Sequence, residues 1–214
     1  MPNRGKYIVI EGNDGTGKST QVERLEQRLL KLGIACSQIH EPDGVPAASK
    51  LRDIIKDGRL KRDPWTNVLL FTAARRLNWF QDIQPSLESG KFVVAARNWY
   101  STIVYQGYGQ GEDIDRIEQF TLENISIDYL KPDLTIVLSM NADDSRVERI
   151  AKREQLERPD TFESMPDDFQ KRVNEGYVDF AQKRGIEIID ASRSIDEVEQ
   201  DIWKKVQHLL EAKS

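Results

Sequence analysis

Short, uninterrupted apolar runs alternate along this chain with longer stretches in which apolar residues recur every three or four positions. The runs are Tyr7-Ile8-Val9-Ile10, Ile34-Ala35-Cys36-Ser37-Gln38-Ile39, Phe92-Val93-Val94-Ala95-Ala96, Leu134-Thr135-Ile136-Val137-Leu138 and Ile186-Glu187-Ile188-Ile189. Continuous rather than alternating apolarity marks a strand buried on both faces. Between them the helical period predicts helices after residue 19 (Val22, Leu25, Leu29, Leu30), over 47–57, from Pro64 through Phe80 towards Gly90, over 113–127, 143–152 and 167–183, and from Ile195 to Leu210. Gly33 and Gly90 read as helix stops, and Pro132-Asp133 introduces the fourth strand. This pattern predicts an α/β fold, a five-stranded parallel sheet covered by helices on both faces and joined by right-handed crossovers, in a single domain over 1–214. Ligands of such sheets sit beyond the carboxyl ends of the strands. Chemistry is therefore expected at 11–19, 40–44, 97–100, 139–141 and 190–192.

The first of these stretches carries Gly12-Asn13-Asp14-Gly15-Thr16-Gly17-Lys18-Ser19, which fills every position of the G-x-x-x-x-G-K-[ST] phosphate loop. Strand, loop and helix follow one another as the motif requires. Glycines let backbone N–H groups turn inward around phosphate oxygens, and the helix N-terminus adds favourable dipole charge. Lys18 is suited to the terminal phosphates and the Ser19 hydroxyl to Mg²⁺. The loop implies a bound nucleoside triphosphate.

Bulk properties narrow the class. With 38% apolar and 31% charged residues, the chain reads as globular, and its net charge of −5 offers no basic excess for a nucleic-acid backbone. The single cysteine, Cys36, rules out an intrachain disulfide or a multi-cysteine zinc site and reads as a buried thiol. No apolar run reaches membrane-spanning length, so a cytoplasmic protein without membrane partners is expected.

Other strand ends carry polar groups too. Glu41-Pro42-Asp43-Gly44 is turn chemistry by itself, yet its glutamate also stands where a sugar hydroxyl or hydrated metal would be met. Arg97, just past the third buried run, is placed to bind a phosphate bidentately, with Trp99, Tyr100, Ser101, Tyr105 and Gln106 close behind. The charged run 149–160 fits either a solvated helix end or a lid bringing arginines over a transferring phosphoryl group.

Together these motifs resemble the thymidylate kinase family, nucleoside monophosphate kinases that make dTDP from dTMP and ATP, over nearly the whole chain. The family's E-P-G-G turn is matched by Glu41-Pro42-Asp43-Gly44, and its L-L-F-x-A-x-R segment by Leu69-Leu70-Phe71-Thr72-Ala73-Ala74-Arg75. Its D-R-Y-x-x-S-x-x-A-Y-Q-G is matched in part by 96–107. The resemblance implies a three-layer phosphate-loop fold with strand order 2-3-1-4-5 and a lid near 150–163. ATP would lie against Gly12, Asn13, Asp14, Gly15, Thr16, Gly17, Lys18, Ser19 and Thr20. For dTMP it implies Asp14, Glu41 and Pro42, Phe71 stacked on thymine, Arg75 bonding the nucleotide, and Arg97 holding the phosphate. Tyr105 would lie against the deoxyribose, with Ser101 and Gln106 near the base. The loop has Gly15 and Thr16 where one subgroup carries a catalytic arginine, so Arg153 and Arg158 of the lid become the catalytic candidates beside Lys18 and Arg97. A homodimer using ATP and Mg²⁺ is implied as well.

Departures are local. Ala96 stands where the family has an aspartate that organises Mg²⁺ through its water shell, Asn98 where tyrosine is usual, and His40 where arginine is frequent. They leave open a kinase for another nucleoside monophosphate, or a nucleotide-binding protein with weakened catalysis.

Overall fold

A computed structural model describes residues 4–140, 161–162 and 165–211. Strands Tyr7–Gly12 (β1), Cys36–His40 (β2), Phe92–Ala96 (β3), Leu134–Ser139 (β4) and Glu187–Asp190 (β5) form one parallel sheet in the order β2-β3-β1-β4-β5. The strand period of two divides each apolar run between the two faces of the sheet. Ile8 and Ile10 of β1 pack with Val22, Leu25 and Leu29 of helix α1 (Lys18–Lys31) and with Ile202 and Val206 of the last helix, Ile195–Glu211. Tyr7 and Val9 point the other way, into a cluster with Val68, Trp79, Trp99 and Tyr129. Two apolar faces on one sheet make three layers.

The remaining helices are α2 (Pro46–Lys56), α3 (Pro64–Asn78), α4 (Gln84–Glu88), α5 (Trp99–Thr102), α6 (Ile114–Asn124), α7 (Ile127–Leu130) and α8 (Asp167–Arg184), with Ile195–Glu211 as α9. The second strand starts later than its apolar run, because the Ile34 N–H donates to Leu29 O and finishes α1 instead. The helix expected over 113–127 is broken in two. Ser126 accepts from Tyr129 N and caps a new helix there. The long helix towards Gly90 is interrupted by a π-helical turn, Trp79–Ile83, just ahead of Pro85, which has no N–H to continue the ladder. A second π-helical stretch, Ile103–Gly109, follows α5. The helix expected over 143–152 lies outside the described residues.

Register fixes what meets at the strand ends. Ile10 pairs with Ala96, and Ala96 with His40, so β1, β2 and β3 stop at one level. Beneath this edge sits a buried ion pair. Arg75 Nε donates to Glu41 Oε2 at 3.0 Å, Tyr129 OH donates to the same oxygen at 2.6 Å, and Arg75 Nη1 donates to Thr102 Oγ1 at 2.6 Å. Burial pushes the Glu41 carboxyl up to about 7, against the pull of Arg75 and the Tyr129 hydrogen bond.

On the far side of the cleft, α8 packs closely against the second π-helical stretch. A Cβ on Gly176 would stand 2.8 Å from Tyr108 Cβ, and one on Gly109 2.5 Å from the Phe169 ring. The glycine in α8 therefore sets the distance of that helix from the site.

Ala in place of Gly normally stabilises a helix interior by roughly 1 kcal/mol. Gly176→Ala should instead destabilise the fold by about 1–3 kcal/mol through overpacking, measured as a lowered urea midpoint. A carboxyl whose pKa is raised by folding contributes stability at low pH and loses it as pH rises. Between pH about 4.5 and about 7 the wild-type stability should thus carry a downward contribution from Glu41, up to about 3 kcal/mol. Glu41→Gln should remove it, seen as a flatter pH dependence of urea unfolding across that window.

Candidate active site

The phosphate loop is shaped by its glycines. Gly12 has φ 141°, and a Cβ there would lie 2.3 Å from Leu138 O, so only glycine lets the loop leave β1 alongside β4. Gly17 (φ 88°) caps α1 in the left-handed region. Lys18 Nζ donates to Asn13 O at 2.8 Å, and Thr16 Oγ1 donates to the same carbonyl at 2.9 Å. Ser19 stands exposed in the first turn of α1.

A cleft opens between this loop and the strand edge. Its walls include Asp14, Lys18, Ser19, Glu41, Arg75 and Arg97. Pro42, Phe71, Ser101 and Tyr105 line it as well, so most of the residues expected for dTMP converge there. Arg75 lies 4.9 Å over the Phe71 ring, giving one flat apolar face backed by a cation. Gln106 is an exception: it is fully buried, away from the cleft wall, with Nε2 turned to Gln110 Oε1 at 3.3 Å. The π-helical winding of 103–109 turns Tyr105 into the cleft and its neighbour out of it. Arg153 and Arg158 lie outside the described residues.

Asp14 and Arg97 meet across the cleft. Arg97 Nη2 donates to Asp14 Oδ1 at 2.5 Å, and Tyr105 OH donates to Asp14 Oδ2 at 2.9 Å. Burial alone would raise the Asp14 pKa; the Arg97 and Lys18 charges and the Tyr105 hydrogen bond overturn that and hold it well below the usual carboxylate range. Asp14 is therefore an anion near neutral pH. Burial raises the Tyr105 pKa, so it stays a phenol.

Arg97 is also the one non-glycine residue among those described with a left-handed backbone, φ 74°. Such a conformation costs about 1–3 kcal/mol and needs support from its surroundings. Support comes from Glu11, fully buried at the end of β1, whose Oε1 accepts from Asn98 N at 2.8 Å and Ser101 N at 3.1 Å. Asn98 adds a cap, its Oδ1 accepting from Tyr100 N at 2.9 Å. Glu11 was visible in the sequence only as part of a strand-end stretch. Its signal is a carboxylate directly following a buried apolar run, where a charge needs partners.

Two of the departures noted in the sequence line the cleft, while Asn98 is buried behind it. Ala96 is buried and lines the cleft with a methyl group, and His40 lines it from β2. Burial lowers the His40 pKa, so its ring is neutral near pH 7. Among the described residues no group of three or more acidic, histidine or cysteine side chains is assembled to hold a metal. The exposed hydroxyl of Ser19, in the cleft wall with Lys18 and Asp14, fits a cation that arrives on triphosphate oxygens and keeps its waters, rather than one held in a protein cage. Cys36 is buried, and burial lifts its thiol to about 12, leaving it inert.

Comparison with known proteins agrees with this arrangement. The family model for thymidylate kinase matches residues 10–202. A thymidylate kinase of Halothermothrix orenii is 37% identical over 207 residues, covering 97% of this chain and 99% of that protein. One from Deinococcus radiodurans is 34% identical over 206 residues, covering 95% and 97%. The solved structure of thymidylate kinase from Ehrlichia chaffeensis superposes with a TM-score of 0.75 at 28% identity, over 95% of this chain and 99% of that one. Phosphate loop, strand order, cleft and near full-length similarity lead to one conclusion: this chain belongs to the thymidylate kinase family.

Proposed function

We propose that this enzyme transfers the γ-phosphoryl group of ATP to a phosphate oxygen of dTMP, giving ADP and dTDP. The observation that carries the reading is the meeting of Asp14 and Arg97, which joins the triphosphate loop to the aromatic wall of the cleft. The acceptor is already an anion, so the protein needs no strong base. It must position two phosphates and neutralise their spread charge.

Each group has a part. The loop N–H groups and Lys18 hold the triphosphate. Arg97 binds the acceptor phosphate after exchanging Asp14 for it, and Asp14 then turns to the sugar or to the hydrated cation. Phe71 takes the base on its face with Arg75 at the base edge, and Tyr105 closes on the deoxyribose, where a 2′-hydroxyl would crowd it. Mg²⁺, bound through Ser19 and the triphosphate oxygens, would offset charge on the transferring group. Lid arginines at 153 and 158 would complete that neutralisation, and the chain would work as one domain, as a cytoplasmic homodimer. The family likeness supports these last assignments.

A second reading, phosphorylation of a different monophosphate, rests on the alanine at 96 and the neutral His40 in the cleft wall. An acceptor panel separates the two. With ATP and Mg²⁺, dTMP should give the highest kcat/KM among dTMP, dUMP, dGMP and AMP; an equal or better rate with another acceptor would overturn the thymidylate assignment. Lys18→Ala should lower kcat by at least about 100-fold. Ala96→Asp should lower the Mg²⁺ concentration needed for half-maximal rate, read from magnesium titrations of ADP release.

A further inference from the structure

The guanidinium of Arg97 has two differently committed ends. Nη2 faces the cleft, where it meets Asp14 and, at 3.3 Å, Tyr105 OH. Nη1 faces the protein, donating to Ser101 Oγ and Tyr177 OH, both at 2.9 Å, and to Gly12 O at 3.3 Å. Behind the two hydroxyls stands Glu11. Tyr177 OH donates to Glu11 Oε2 at 3.1 Å, and Ser101 Oγ donates to it at 2.8 Å. Each hydroxyl thus accepts a hydrogen bond from the arginine and donates one to the carboxylate. Among the described residues Glu11 has no direct ion pair, so Arg97 reaches it only through these two bridges.

Tyr177 comes from α8, a different layer of the fold from either partner, and is nearly fully buried. The glycine before it allows the approach, since a Cβ at Gly176 would strike Tyr108. Burial and then the Glu11 charge raise the Tyr177 pKa well above its usual value, so its proton stays in place. A second tie lies one turn earlier, where Asn13 Nδ2 donates to Asn174 Oδ1 at 2.6 Å.

We infer that Tyr177 and Glu11 are positioning residues for acceptor binding: they hold the Nη1 end of Arg97 by a hydroxyl-bridged link, leaving the Nη2 end free to trade Asp14 for the acceptor phosphate. Glu11 also accepts the Asn98 N–H that fixes the left-handed turn at Arg97, so one carboxylate sets both backbone and side chain. The inference rests on the proposed function, since it concerns which substrate feels the change.

The test is steady-state kinetics on the full chain with ATP and dTMP, supported by calorimetric titration of dTMP. Tyr177→Phe keeps the ring and removes the bridge. A hydrogen bond to a charged group is worth enough for about a 10-fold change, with Ser101 still in place. KM for dTMP should rise about that much, with KM for ATP within about twofold. Glu11→Gln should shift in the same direction. In an Arg97→Ala background, Tyr177→Phe should change dTMP affinity less than about twofold, because the two residues act as one unit. Equal losses for ATP and dTMP, an undiminished Tyr177→Phe effect without Arg97, or no rise in KM for dTMP would overturn the inference. If Tyr177→Phe does not fold, Glu11→Gln is judged by the same split. A wild-type enzyme that makes no dTDP would instead overturn the proposed function.

Discussion

The 2.5 Å contact between Arg97 and Asp14 joins residues 83 positions apart, and the cleft takes its shape from it. It forms because β1 and β3 are neighbours whose last paired residues are Ile10 and Ala96. That register sends the phosphate loop and the arginine turn out of the sheet side by side. A slip of one residue would send Arg97 to the opposite face and leave Glu11 buried without its backbone donors. The hydrophobic sorting of Tyr7 and Val9 from Ile8 and Ile10 is what forbids that slip. The chemistry of the site is thus tied to the packing of both cores.

Glu11 and Glu41 stand at equivalent places, each just beyond or at the end of a parallel strand, and they are handled differently. Glu41 meets Arg75 directly and still has its pKa raised by burial. Glu11 is served mainly by backbone N–H groups and hydroxyls. Two buried carboxylates so close together repel, and interposing hydroxyls at one of them spreads the compensating charge over several donors. Arg75 and Arg97 consequently face the cleft from two separately anchored supports.

Much of this was legible in the sequence because it depends on local pattern. Apolar runs gave all five strands, and the glycine spacing of the phosphate loop gave its position between β1 and α1. Arg97, Ser101 and Tyr105 follow a buried strand and Phe71 and Arg75 a family motif, and the structure brings all five into one cleft. What was not legible depends on contacts distant in sequence or on helix winding. Gln106 follows Tyr105 directly, yet the π-helical stretch sends it away from the cleft. Tyr177 enters the site only because α8 lies against the loop. Ser126 and Pro85 divided helices that apolar periodicity alone had run together.

Asp14 has a consequence for the protein when no nucleotide is present. Without a partner, the Arg97 guanidinium would leave a concentrated positive charge in a partly enclosed space. The carboxylate of Asp14 acts as a resident counter-ion, so the fold does not rely on its substrate for charge balance. The same arrangement sets an entry threshold. A small anion that offers only charge must compete with a tethered carboxylate at 2.5 Å, whereas a nucleotide brings base and sugar contacts that help to displace it. On the proposed reading of Arg97 as the acceptor's seat, inorganic phosphate would meet that threshold without base or sugar contacts to help it.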